Sequence, residues 1–257
     1  MIKKLLKKIF NIFGLAIYRY KKSNIYTDLE NFIPFGDEKN SDKENLLYYE
    51  GLKKSQNIQS DNFSKRLRYY SLQQIISYIL NKNEVSDFVE CGCWKGHSSF
   101  IISKLITNSK KKINLHIFDS FEGLSVSTKN DQGFHLRDQS EKDRVAKYFS
   151  SSEEFLKKEV LNEFDFVKVY KGWIPERFNE IEEKKFSLIH LDVDLYEPTY
   201  ESLKFFFPRL KNGGVIICDD YNFIAFPGAK KAWDDYFKDK NYSQFYKVPF
   251  GACFLIK

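Results

Sequence analysis

The chain has 257 residues, 42% hydrophobic and 17% aromatic, which is enough to bury a sizeable core and excludes a globally disordered chain. Its formal charge of +6 is uneven: Lys3, Lys4, Lys7, Lys8, Arg19, Lys21 and Lys22 fall in one short stretch without an acid, leaving 34 bases against 35 acids elsewhere. The remainder has no basic excess to set against a phosphate backbone, so nucleic acid is not expected as a partner.

In chain order, residues 1–22 place Ile2, Leu5, Leu6, Ile9, Phe13, Ala16 and Ile17 at helical spacing, with lysines on the other side. This is the pattern of a basic amphipathic helix, and its apolar run is far too short to span a bilayer. Two readings stay open: peripheral contact with the inner face of a membrane from the cytoplasm, or packing on its own domain or on a second subunit in a homo-oligomer. Residues 23–60 are polar and read as a linker or arm. The spacing of Leu67, Tyr70, Leu72, Ile75, Ile76 and Ile79 predicts a helix over 64–80.

From there strands and helices alternate. Strands are expected at 87–91, 113–119, 166–170, 186–195 and 215–219, and helices at 98–107, 151–164, 175–181, 199–210 and 228–237. Residues 245–248 and 252–256 predict a terminal antiparallel pair. The alternation argues a doubly wound α/β sheet. The aperiodic stretch 122–150 is expected to be a long functional loop or lid. The four cysteines, Cys91, Cys93, Cys218 and Cys253, lack zinc-ligand spacing and read as small buried thiols of a reducing cytosol.

Two apolar runs end in acids, one at Asp192 and Asp194 and the other at Asp219 and Asp220. Ligands of open α/β sheets bind outside the carboxyl ends of the strands. Adjacent strands would bring Asp192, Asp219 and Asp220 together there, and three crowded carboxylates call for a divalent cation. Phe88 to Gly96 reads as a strand entering a glycine turn. Only Gly92 and Gly96 are present of a dinucleotide fingerprint, and Glu90 would repel a pyrophosphate. A cationic, phosphate-free cofactor such as S-adenosylmethionine suits the turn better, with Asp119 placed to accept from ribose hydroxyls.

The runs FVECGCWKGHSS, IFDSFEGL, KGWIPE, LIHLDVDLYEPTYESL and GGVIICDDY together resemble the macrocin O-methyltransferase (TylF/MycF-like) family over about residues 62–240. That resemblance implies a class I SAM-dependent methyltransferase (Rossmann-like) domain over 61–257, with a seven-stranded sheet and an antiparallel last strand. It implies an S-adenosylmethionine- and Mg²⁺-dependent enzyme acting on a sugar hydroxyl of a small-molecule or glycan acceptor. By motif, Glu90, Gly92 and Gly96 would lie along the methionine part of the cofactor. Asp119, Ser120 and Phe121 would border its ribose and adenine, and Asp192, Asp219 and Asp220 would bind Mg²⁺.

Trp173 is a candidate to stack on adenine or to fill the core. Asp192 or Asp194 could take the acceptor's proton, and His135 in the long loop is a further candidate base. His97, His116 and His190 read as structural. Three other functions remain to be weighed: a catechol- or phenol-directed methyltransferase, an NAD-dependent nucleotide-sugar oxidoreductase, and a non-catalytic cofactor-binding partner. The imperfect glycine turn speaks against the second. The retained carboxylates speak against the third.

Overall fold

The computed structural model describes residues 43–132, 138–240, 242, 244–248 and 251–257. The basic segment 1–22 and His135 lie outside the described residues. Helix α1 (Lys43–Lys54) and helix α2 (Phe63–Leu80) precede strand β1 (Asp87–Cys91), followed by α3 (His97–Ser109) and β2 (Leu115–Asp119). Helix α4 (Gln139–Tyr148) and the short α5 (Glu153–Phe155), prolonged by a π turn over Leu156–Val160, lead to β3 (Val167–Lys171). Then come β4 (Phe186–Leu191), α6 (Tyr196–Phe206), β5 (Leu210–Cys218), α7 (Pro227–Phe237), β6 (Gln244–Lys247) and β7 (Cys253–Ile256). No helix among the described residues is long and apolar enough to cross a membrane.

The seven strands form one sheet in the order β3-β2-β1-β4-β5-β7-β6. β1 to β5 pair in parallel, and β7 runs antiparallel to both neighbours. The expected α/β class, strand count and antiparallel element are all present. Side-chain alternation sorts the core onto two faces. Phe88, Ile117, Leu188, Val215 and Ile217 pack under α2 and α3, whereas Val89, Phe118, Ile189, Ile216 and Cys218 pack against α6 and α7. Burying both faces accounts for strands with nearly continuous apolar runs.

Several expected bounds shift. Residues 43–54 are helical within the stretch read as a polar arm. Tyr48 and Leu52 of α1 are buried there, and the Tyr48 carbonyl meets His97 Nε2 at 2.8 Å. Gly51 makes that approach possible, since a Cβ there would stand 2.7 Å from the His97 ring. The long loop contains a 3-10 turn at Lys129–Asp131 and the helix α4. Asp138 caps α4 by accepting from Glu141 N at 2.9 Å, but α4 has no buried residue. That lack of an apolar stripe is why periodicity did not mark it. β4 ends at Leu191, four residues before its expected end, because Asp194 turns into the left-handed region at φ 57°.

Candidate active site

The parity of the strands explains what gathers at the sheet's mouth. Leu188 and His190 on β4, like Val215 and Ile217 on β5, point toward the α2–α3 face. One further step carries Asp192 and Asp219 to the same side. The backbone keeps the tips in register, with Asp219 N–H donating to the Leu191 carbonyl at 2.8 Å and Asp192 N–H to the Cys91 carbonyl at 2.9 Å. Asp194 N–H donates to Asp220 Oδ2 at 3.2 Å. Asp194, Asp219 and Asp220 are buried, and Asp192 is partly so.

Charge in this cluster is shared rather than paired off. Arg68, from α2, reaches across to form an ion pair between Nη1 and Asp219 Oδ2. Its own charge is held against burial by Asp219, Asp192 and Asp220. Burial and the neighbouring Asp219 raise the Asp192 carboxyl to about 6. Burial, together with nearby acids, pushes Asp194 and Asp220 well above the carboxylate range. Asp219 alone is held low, because Arg68 and His190 outweigh its burial. Lys65, one turn before Arg68, is lowered to about 8 by burial and by Arg68.

Behind the cluster, His190 Nδ1 lies 3.1 Å from Glu90 Oε1 and His190 Nε2 lies 4.0 Å from Asp219 Oδ1. Burial opposes charge on His190, but Asp219 and Glu90 raise it to about 10. The Ser99 hydroxyl donates to the other Glu90 oxygen. A Glu90–His190–Asp219 chain thus underlies the carboxylate cluster.

The first cavity, with about 560 Å³ of empty space including its open mouth, is lined by Gly92, Trp94, Asp119, Ser120, Trp173, Asp192 and Asp194 among others. Asp119 organises the turn above it. Its Oδ2 accepts from Cys93 N at 2.8 Å and Trp94 N at 3.0 Å, and its Oδ1 accepts from Phe121 N at 2.7 Å. A carboxylate has about four acceptor sites, so Asp119 keeps capacity for a hydroxyl. Gly92 sits at φ 82°, where a Cβ would come within 1.9 Å of the Asp192 carbonyl oxygen. Only glycine lets the turn after β1 press against the tip of β4.

Of the expected cofactor residues, Gly92, Asp119, Ser120 and Trp173 line this cavity. Glu90, Gly96 and Phe121 are not among its lining residues. Glu90 is fully buried on Ser99 and His190, and Gly96 exists to admit Leu156, whose Cδ1 would lie 2.2 Å from an added Cβ. Phe121 is buried in the core under α3. The expected metal ligands meet at one place in the fold. Yet among the described residues no three His, Cys, Asp or Glu side chains stand grouped as metal ligands, and Arg68 already engages Asp219. His97 and His116 are buried and structural, as their core positions implied. The four cysteines are free and buried.

Sequence reasoning missed Arg68 and Lys65, since an arginine or lysine between apolar helix positions normally marks a solvated face. It also missed Asp131. That carboxylate is buried and accepts from Tyr196 N at 2.7 Å and Thr128 N at 2.7 Å, tying the long loop to the start of α6.

With this geometry in view, the model of the macrocin-O-methyltransferase (TylF) family matches residues 59–248. The chain is 29% identical over 174 residues to the 8-demethyl-8-(2,3-dimethoxy-alpha-L-rhamnosyl)-tetracenomycin-C 4'-O-methyltransferase of Streptomyces olivaceus. It is 24% identical over 174 residues to the demethyldecarbamoylnovobiocin O-methyltransferase of Streptomyces niveus. Each alignment covers 66% of this chain and 64% of the relative, so the chain spans just under two thirds of the length of these relatives. The solved structure of the O-methyltransferase NovP superposes with a TM-score of 0.63 at 18% identity, covering 84% of this chain and 99% of NovP. The shared fold is the class I S-adenosylmethionine-dependent methyltransferase fold.

Proposed function

This chain belongs to the macrocin-O-methyltransferase family, and from that premise we propose that it moves the methyl group of S-adenosylmethionine to a sugar hydroxyl of a glycan, nucleotide-sugar or glycosylated natural product. The observation that carries this reading is the first cavity: Gly92, Asp119 and Trp173 wall one part of it, and Asp192 and Asp194 another. A cofactor lying there would present its methyl group beside carboxylates. The tetracenomycin relative, by its name, methylates a rhamnosyl group, which supports a sugar acceptor.

In the reaction, the acceptor oxygen bonds to the methyl carbon as the carbon–sulfur bond breaks, and the sulfonium becomes a neutral thioether. The acceptor's proton goes to a carboxylate. Asp192, on the cavity wall and raised only to about 6, would receive it, whereas Asp194 beside it is held protonated by burial. Gly92 and the Asp119-bound turn would fix the donor, so much of the rate would come from alignment.

The donor set fits a magnesium ion in kind. Asp192, Asp219 and Asp220 offer hard carboxylate oxygens at adjoining strand tips, and the buried acids outnumber the cations that face them. These three residues would hold it; when bound, it would lower the pKa of an acceptor hydroxyl and fix its direction. Arg68 then competes for Asp219.

For residues 1–22 the composition supports contact with an anionic membrane surface. Removing them should reduce cosedimentation with anionic vesicles, and unchanged sedimentation would refute this. The enzymatic reading is tested by calorimetry with S-adenosylmethionine and with NAD, then by methyl transfer to a sugar panel with and without EDTA. Binding of NAD in place of S-adenosylmethionine would overturn it.

A further inference from the structure

Two of the three tryptophans, Trp94 and Trp233, carry an indole Nε1–H that is enclosed and meets no acceptor among the described residues. Trp233 is 1% exposed and packs on Tyr221, Phe237 and Phe245, deep in the core. Trp94 is different, because it stands on the wall of the first cavity. Its backbone sits at φ 46°, a left-handed conformation in which a bulky side chain is an outlier. Both of its main-chain groups are held there. The N–H donates to Asp119 Oδ2 at 3.0 Å, and the carbonyl accepts from Ser151 Oγ at 2.6 Å. The ring lies 5.4 Å from Tyr148, the last residue of α4, and 5.6 Å from Phe149. An outlier pinned in this way on a cavity wall points to a residue set for a ligand.

The lining shows which group of the ligand. It includes Asp119, Asp192 and Asp194, and among its described residues no lysine, arginine or histidine. The main-chain donors of the turn are already taken, with Cys93 N and Trp94 N on Asp119 Oδ2 and Phe121 N on its Oδ1. Lys95 Nζ stands 5.2 Å from the Trp94 ring centre, but Lys95 does not line the cavity. S-adenosylmethionine has a single anionic group, the carboxylate of its methionyl tail. Among acidic walls that carboxylate needs a donor, and an indole N–H is donor only. Tyr148 is 60% exposed, so the indole can turn its N–H into the cavity without parting the core.

Resting on the methyltransferase reading above, we infer that Trp94 is a donor-binding residue whose indole N–H takes the tail carboxylate of S-adenosylmethionine. Trp94 then selects the whole cofactor over fragments that lack the tail acid, and the ribose is left to Asp119.

The test uses the full chain and three ligands, followed by calorimetry: S-adenosylhomocysteine, its decarboxylated analogue, and methylthioadenosine, which lacks the amino-acid end altogether. Trp94→Phe keeps a ring against Tyr148 and Phe149 but removes the N–H. It should weaken S-adenosylhomocysteine about tenfold or more, the scale of a hydrogen bond to a charged group, and leave the other two ligands within about twofold of wild type. Wild type gives a second reading that needs no variant to fold. With isotope-labelled indoles, one Nε1–H resonance should move to lower field with S-adenosylhomocysteine and not with the decarboxylated analogue. The inference is overturned if Trp94→Phe binds S-adenosylhomocysteine as wild type does, if it weakens all three ligands alike, or if no indole resonance tells the two homocysteine ligands apart. Wild-type protein that binds none of the three would bring down the methyltransferase reading itself, and this inference with it.

Discussion

At the amino end of the sheet a single carboxylate, Asp87, is met by His116 Nε2 at 3.0 Å, Lys184 Nζ at 3.0 Å and the Asn114 N–H at 2.9 Å. At the carboxyl end, Asp192, Asp194, Asp219 and Asp220 crowd together and share Arg68, Lys65 and His190. Although burial works against its charge, Asp87 is held well below the usual carboxylate range by those partners, while Asp194 and Asp220 are driven far above it. One end has its charges matched and serves stability. The other keeps acids that lack full compensation, the expected mark of a site built for a ligand rather than for the fold.

The largest effect should come from unloading the crowded end. Asp219→Ala and Asp220→Ala should each lower methyl-transfer turnover by at least about a hundredfold, the scale on which losing a positioned charge acts. Calorimetry should show S-adenosylmethionine affinity nearly unchanged, because neither residue lines the cofactor cavity. A comparable loss of cofactor affinity would mean these carboxylates serve the fold.

Gly92→Ala should come next. The added methyl would collide with the Asp192 carbonyl in a backbone conformation that suits glycine, costing about 1–3 kcal/mol of stability as overpacking. It should also weaken cofactor binding, since the same turn walls the cavity. Thermal unfolding and calorimetry on one sample separate the two effects. A variant with normal melting and normal binding would show that the turn and the β4 tip can part.

At the matched end, Asp87→Asn should cost about 1–3 kcal/mol, as when a hydrogen-bonded buried group loses its partners, less whatever solvent screening returns. Because the folded carboxyl is depressed, its contribution is present above the unfolded value near 3.8 and fades as pH falls toward the folded one. The gap between wild type and variant should therefore close in acid, as read by denaturant melts from pH 7 to pH 2. Methyl transfer at pH 7 should be retained, which distinguishes this end from the other.

How much of this was legible differs between the same two regions. The strands announced themselves through apolar runs closed by acids, and the doubly wound α/β class followed from their alternation with helices, while the seven-stranded sheet with its antiparallel last strand came with the family resemblance. Asp192, Asp219 and Asp220 were readable as neighbours because parallel register fixes which strand tips meet. What could not be read were partners brought by tertiary packing. Arg68 arrives at Asp219 from 151 positions earlier in the chain, and nothing local in α2 marks it. Glu90, given to the cofactor by the family resemblance, meets Ser99 and His190 through strand parity, a pairing that only the packed sheet displays. Helix α4 escaped because it buries no stripe. The end of β4 was overrun because Asp194 adopts a left-handed backbone, which aspartate tolerates but does not require.

The most direct measurement is a magnesium titration into chelator-stripped protein saturated with S-adenosylhomocysteine, followed calorimetrically in wild type and in Asp220→Ala. The account predicts about one ion per chain in wild type, binding lost in the variant, and, in a parallel assay with S-adenosylmethionine in its place, turnover that returns with the ion. Undiminished turnover without magnesium, or equal binding by both proteins, would contradict it.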